Sequence, residues 1–224
     1  LNMITNPPRD ALVRNKSSGL HIGHKTFSIQ DQEFFANMSL DVNPMHMDPI
    51  SARRVLTGQH VVHGINILIH AIEFWLSHYK LTPTHINCSF NNPISINEPV
   101  IFTEVKNSGG EHTIAVRVNG LLCSTIVLKV GGEIVADKDE LDLKSIESRK
   151  LIAVIEKTPL ELIQDEHLNK KYLIPINHFD SENKFPLINK YLHRNYPAAL
   201  SALSYFVGMI CPGMHSIFLY LKVE

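Results

Sequence analysis

The stretch from Val61 to Tyr79 carries apolar side chains around most of its circumference, among them Ile65, Ile67, Leu68, Ile69, Ile72 and Trp75. At 3.6 residues per turn such a set leaves little face for water, so this helix has to be enclosed rather than laid on a surface. The segments after it supply the enclosure. His85–Phe90 alternates, and Pro99–Val105, Thr113–Val118 and Leu121–Val130 read as strands. Gly109-Gly110 and Asn119-Gly120 separate them, the second being a dipeptide suited to the tightest antiparallel hairpin. Ahead of the helix, His24–Ile29 reads as one more strand and Gln30–Met38 as a short helix. One strand, one buried helix and an antiparallel meander make an α+β layer.

Charge narrows the function classes. The 224 residues hold 21 basic and 22 acidic side chains, a net charge of −1. So even a balance gives no general attraction to nucleic acid or to an anionic membrane. No long apolar run is free of polar breaks; the best one is interrupted by Asn66, His70 and Glu73, which argues against a membrane span. The start, L-N-M-I-T-N-P-P-R-D, lacks the basic-then-apolar order of a secretion signal, and its initial Leu suggests a trimmed end. Cys88, Cys123 and Cys211 are scattered, with no CxxC pair. The expectation is free thiols in a reducing cytoplasm, with neither a zinc site nor a disulfide framework.

Asp137–Arg149 is polar and charged and reads as a linker. The division is therefore an N-terminal segment 1–19, a domain 20–136, a linker 137–149 and a second section 150–224. In that section Tyr172–Ile176 looks strand-like, and an apolar run extends from Ala198 to Leu221 through Cys211-Pro212-Gly213. Setting His63-Gly64-Ile65 against Pro212-Gly213-Met214 gives a weak internal repeat. On that register Asp41 falls on Lys190, Asn43 on Leu192 and His46 on Asn195, so a second copy would lack the chemistry of the first. An unrelated helical extension is the alternative.

The chemistry lies in Ser39–Ala52, S-L-D-V-N-P-M-H-M-D-P-I-S-A. Asp41 and His46 flank an Asn43-Pro44 turn in a segment whose prolines and Asp/Asn residues predict a loop. A carboxylate and an imidazole brought together by a loop suit proton transfer near neutral pH. Asp41 as a turn cap and His46 as a structural loop histidine are the plainer readings. His60, His70, His78 and His85 are dispersed and do not form a metal cluster.

These residues carry a resemblance. D-V-N-P-M-H, with Ser39 before it and Ala52 after it, resembles the signature of the MaoC-like, or R-specific enoyl-CoA hydratase (hydratase 2), proteins, which reads roughly S/T-G-D-x-N-P-[LIV]-H. Val62-His63-Gly64 and Phe90-x-x-Pro93 match the family's V-H-G and F-x-x-P. Two positions depart: Leu40 stands where the family has Gly, and Met45 where it has an aliphatic residue. Leu40 puts the pocket's shape, and so the substrate range, in question.

The resemblance implies a hotdog fold over about 20–136, a curved antiparallel sheet wrapped around a long central helix. The second section is then a partial, degenerate hotdog-like segment. It further implies a hydro-lyase that hydrates trans-2-enoyl thioesters, or dehydrates (R)-3-hydroxyacyl thioesters, carried on coenzyme A or an acyl carrier protein. Asp41 and His46 would be the acid–base pair. Asn43 would orient the loop, and Gly64 at the helix start would offer its N–H to the thioester oxygen, with His63 beside it. No metal is called for, the coenzyme or phosphopantetheine arm belongs to the substrate, and a homodimer is expected. A non-catalytic acyl-thioester-binding module and a thioesterase are the rival readings, since one fold hosts many functions.

Overall fold

The computed structural model describes residues 19–52, 58–131, 181–192, 195–210 and 220–223. Strand β1 (Leu20–Thr26) leads into helix α1 (Ile29–Ser39). Ser28 sets the start of α1 with a reciprocal cap: its hydroxyl accepts from the Asp31 N–H while the Asp31 carboxylate accepts from the Ser28 N–H. The sequence placed both elements later, from His24 and Gln30. This S-x-x-D pairing and a β1 that begins at Leu20 account for the difference. The segment expected to be loop contains two short helical turns, α2 (Pro44–Met47) and α3 (Pro49–Ala52).

The central helix α4 is Gly64–Tyr79. It starts later than Val61 because residues 61 and 62 are engaged elsewhere: Val61 bridges to Ser95, and the Val62 N–H donates to the Ile94 carbonyl. Ile65, Leu68, Ile69, Ile72, Trp75 and Leu76 are all fully buried. The strands that cover them are β2 (Pro83–Phe90), β3 (Pro99–Ser108), β4 (Glu111–Val118) and β5 (Leu121–Val130). Ile86, Phe102, Ile114, Val116, Ile126 and Leu128 point into the same core. Alternate residues of a strand share a face, so each strand gives one row to the helix. At the β4–β5 hairpin Asn119 and Gly120 both take positive φ, 50° and 85°, the pair of left-handed residues that such a two-residue turn demands. Cys88 and Cys123 are buried free thiols, and burial pushes the Cys88 thiol up.

The second section contributes α5 (Ser181–Lys184), α6 (Pro186–Tyr191), α7 (Tyr196–Tyr205) with a π-helical continuation Phe206–Ile210, and β6 (Tyr220–Val223). Together the strands form one antiparallel sheet in the order β1-β3-β4-β5-β2-β6. Strand β6 pairs with β2, Ile86 opposite Val223 and Ser89 opposite Tyr220. A sheet curved around α4 is the hotdog architecture. The dipeptide on which the weak repeat rests, Pro212-Gly213, lies outside the described residues; helix α7 with its continuation precedes it and residues 220–223 after it are strand. The Tyr172–Ile176 strand and the 137–149 linker lie outside the described residues. Among the described residues no helix is long and apolar enough to cross a membrane.

Candidate active site

The loop after α1 holds Asp41 by short-range bonds. Helix α1 ends at Leu40, whose φ of 64° is left-handed, and the Leu40 N–H closes the helix on the Ala36 carbonyl. That conformation favours glycine, so a Gly at this position is explained by backbone rather than by room for substrate. The Asp41 N–H then donates to Ser39 Oγ at 3.0 Å. The Asn43 N–H donates to Asp41 Oδ1 at 3.1 Å, and Asn43 Oδ1 accepts from the Met45 N–H at 3.2 Å. Asn43 thus caps α2 and ties Asp41 to it, and Pro44 at the first helical position favours the turn.

His46 projects from α2 and its Nδ1 lies 2.6 Å from the Val61 carbonyl oxygen, which also accepts from Gln32 Nε2 at 2.9 Å. A carbonyl only accepts, so Nδ1 carries the hydrogen and Nε2 is bare. His63, the residue before α4, is fully buried, with its Nε2 3.2 Å from the Asp41 main-chain oxygen and 3.9 Å from Oδ2. The rings of His46 and His63 stack with centroids 3.8 Å apart and 29° between planes. One ring nitrogen from each histidine and one carboxylate oxygen of Asp41 all lie within 4.8 Å of one another.

Burial drives the electrostatics. It raises the Asp41 carboxyl, opposed by the positive charge on His46 and by hydrogen bonds from Ser204 and Asn43. It lowers His46, opposed by the Asp41 charge and by the Val61 carbonyl. His63 falls well below the ordinary imidazole range through burial, with His46 adding to the effect. An acid moved up and a base moved down approach each other in proton affinity, the condition under which a proton passes between partners at low cost.

Gly64 begins α4 directly after His63, and a Cβ there would stand 2.8 Å from the Phe90 ring, so only glycine lets that strand residue close on the helix start. Two residues that the sequence reading passed over complete the site. Ser204 of α7 donates to Asp41 Oδ2 at 2.7 Å, and a Cβ on Gly208 would lie 2.7 Å from Asp41 Oδ1. Small residues four apart in an apolar helix, Ser204 and Gly208, were the available signal, since they permit close approach on one face.

The family model for the MaoC like domain matches residues 17–122. Residues 17–122 form a MaoC-like domain. No curated protein matches the chain by sequence. Solved structures similar to this chain include the monoamine oxidase regulatory protein from Archaeoglobus fulgius, at 18% identity over 50% of this chain and 84% of that one, TM-score 0.42. The (R)-hydratase from A. caviae involved in PHA biosynthesis is 25% identical over 49% of this chain and 92% of its own, TM-score 0.34. A protein from Mycobacterium tuberculosis with a double hotdog fold is 8% identical, covering 50% of this chain and 40% of that one, TM-score 0.40.

Proposed function

We propose that the MaoC-like domain hydrates trans-2-enoyl thioesters, and in reverse dehydrates (R)-3-hydroxyacyl thioesters, with Asp41 and His46 as the acid–base pair. The supporting observation is the approach of Asp41 and His46 to within 4.8 Å beside the start of α4. A water between them meets two acceptors, the carboxylate and the bare Nε2 of His46. As the water oxygen bonds to C3 of the substrate, one proton passes to the pair. The C2–C3 π electrons move toward the thioester oxygen. They return as the pair delivers a proton to C2, so the pair ends in its starting state. The charge that builds on the thioester oxygen is met by the Gly64 N–H, one of the unpaired amides of a helix N-terminus. A single donor of this kind lowers the barrier by roughly 3 kcal/mol. The ligands are acyl thioesters of coenzyme A or of an acyl carrier protein, and the working form is a homodimer.

Asp41→Asn tests the assignment. It keeps the size of the side chain and removes its basicity, so crotonyl-thioester hydration should fall at least about 100-fold with the circular dichroism spectrum unchanged. Wild-type turnover in that variant would end the proposal. Release of free thiol, detected with a thiol reagent, would instead mark a thioesterase.

A further inference from the structure

His63 touches both members of the pair while reaching neither solvent nor, by itself, an open face of the site. Its Nε2 faces the Asp41 main-chain oxygen at 3.2 Å, an atom that only accepts, so Nε2 bears the hydrogen. That leaves Nδ1 bare, and Nδ1 is buried with no hydrogen-bond partner among the described residues. The ring packs against Phe35 at 4.7 Å as well as stacking on His46 at 3.8 Å. The Asp41 carbonyl follows the left-handed Leu40 and lies outside α1, and His63 satisfies it. We propose that His63 is a positioning residue: it holds Asp41 and His46 in one arrangement by donating to the Asp41 main chain and by presenting its ring face to the His46 imidazole. The activity readouts of this inference rest on the hydration reading; its spectroscopic readout does not.

The role requires His63 to stay neutral while His46 gains and loses its proton. Protonating Nδ1 would bury an N–H that has no acceptor and would set a cation against His46. The titratable groups facing the stacked rings among the described residues are Asp41 and, toward His46, His60. Helix α1 contributes Phe35 to the His63 ring and Gln32 to the shared Val61 carbonyl, and α7 contributes Ser204 to Asp41, none of them charged. Nothing on α1 or α7 stabilises a charged His63, and against the Asp41 carboxylate at 3.9 Å stand full burial, the partnerless Nδ1 and the stacked His46, so the pair works against a neutral backstop.

Histidine-labelled wild-type protein followed by 15N NMR between about pH 5 and 8, the range in which a free imidazole titrates, should show His63 as the neutral Nε2–H form throughout. A His63 that titrates in this range, or carries its proton on Nδ1, overturns the inference. Two variants separate its two contacts. His63→Phe keeps the stacking and loses the donor, and His63→Gln keeps a donor and loses the stacking. In each, kcat should fall about 10- to 100-fold, the usual effect of a displaced catalytic group, with KM within about twofold and a shifted acidic limb of the pH profile. Folded variants with wild-type kcat and pH profile would overturn it. If wild-type protein hydrates no thioester, the hydration reading fails, and NMR still decides the clamp. The His46 titration midpoint should move in His63→Phe, and an unmoved midpoint with unmoved His46 shifts refutes it.

Discussion

Both carboxylate oxygens of Asp41 accept a hydrogen bond before any substrate arrives, Oδ1 from the Asn43 N–H and Oδ2 from Ser204 Oγ. Each bond favours the ionised carboxylate against the burial that disfavours it. Ser204→Ala should therefore raise the Asp41 carboxyl further. The acidic limb of the hydration profile that reports Asp41 should move to higher pH, and kcat/KM should drop about tenfold, the order expected from losing one hydrogen bond to a charged group. An unmoved limb would show that the Ser204 contact carries no electrostatic weight. Asp41, Asn43 and His46 were legible as a set because one short loop presents them, and local spacing is what a sequence displays. Ser204 was not legible. It reaches Asp41 from a helix 163 positions further along the chain, and its spacing to Gly208 marks a face of close approach without saying what that face meets. Leu40 was legible only as bulk, because a left-handed φ leaves no mark on any residue other than glycine or asparagine.

At the level of elements, periodicity carried most of the reading. Helix α4 and strands β2 to β5 emerged because each buries a definite face, and burial writes a period into the sequence. Their ends were less visible, since caps and bridges such as Ser28–Asp31 and Val61–Ser95 set them. Helix α7 and its π-helical continuation were visible as an apolar run but not as a wall of the site. Gly208 tests that wall. Gly208→Ala would place a methyl 2.7 Å from Asp41 Oδ1 and 2.8 Å from Oδ2, inside any real contact distance. The carboxylate is fixed from two sides, so the helix has to retreat or Asp41 has to rotate. Hydration should fall by more than about tenfold, and stability by about 1–3 kcal/mol, as for other overpacked interiors. Full activity with an unchanged denaturant midpoint would mean that α7 does not bear on Asp41 in solution.

For the molecule as a whole, the second section is fastened to the MaoC-like domain by polar contacts at several places. Lys184 Nζ meets Asp31 Oδ1 at 2.9 Å, a carboxylate that Lys25 also engages. The Glu73 carboxylate on α4 accepts from the Leu187 and Ile188 N–H groups at the start of α6, both at 2.9 Å. Between these contacts Phe185 lies edge-on to His70 at 5.1 Å, with Phe27 on the same ring at 5.1 Å. Burial pulls His70 down to about 4. The unfolded chain then protonates this ring before the folded one does. Stability contributed by neutral His70 is complete above its unfolded value of about 6.5 and declines as pH falls from there toward 4. At pH 5 the deficit amounts to about 2 kcal/mol. Asp31 acts in a separate window. Its carboxyl is held well below the ordinary range by the Ser28 N–H and the two lysines, against burial, so its contribution is present above about pH 4 and fades only below that. Urea melts at pH 7 and pH 5 should thus show a clear loss for wild-type protein. His70→Leu, which has nothing to titrate, should recover about 2 kcal/mol of that loss, leaving a remainder from His63, which burial also holds below the ordinary imidazole range. If the two proteins lose the same stability between these pH values, His70 does not sit neutral at the junction, and the packing of Phe185 against it does not hold the two sections together.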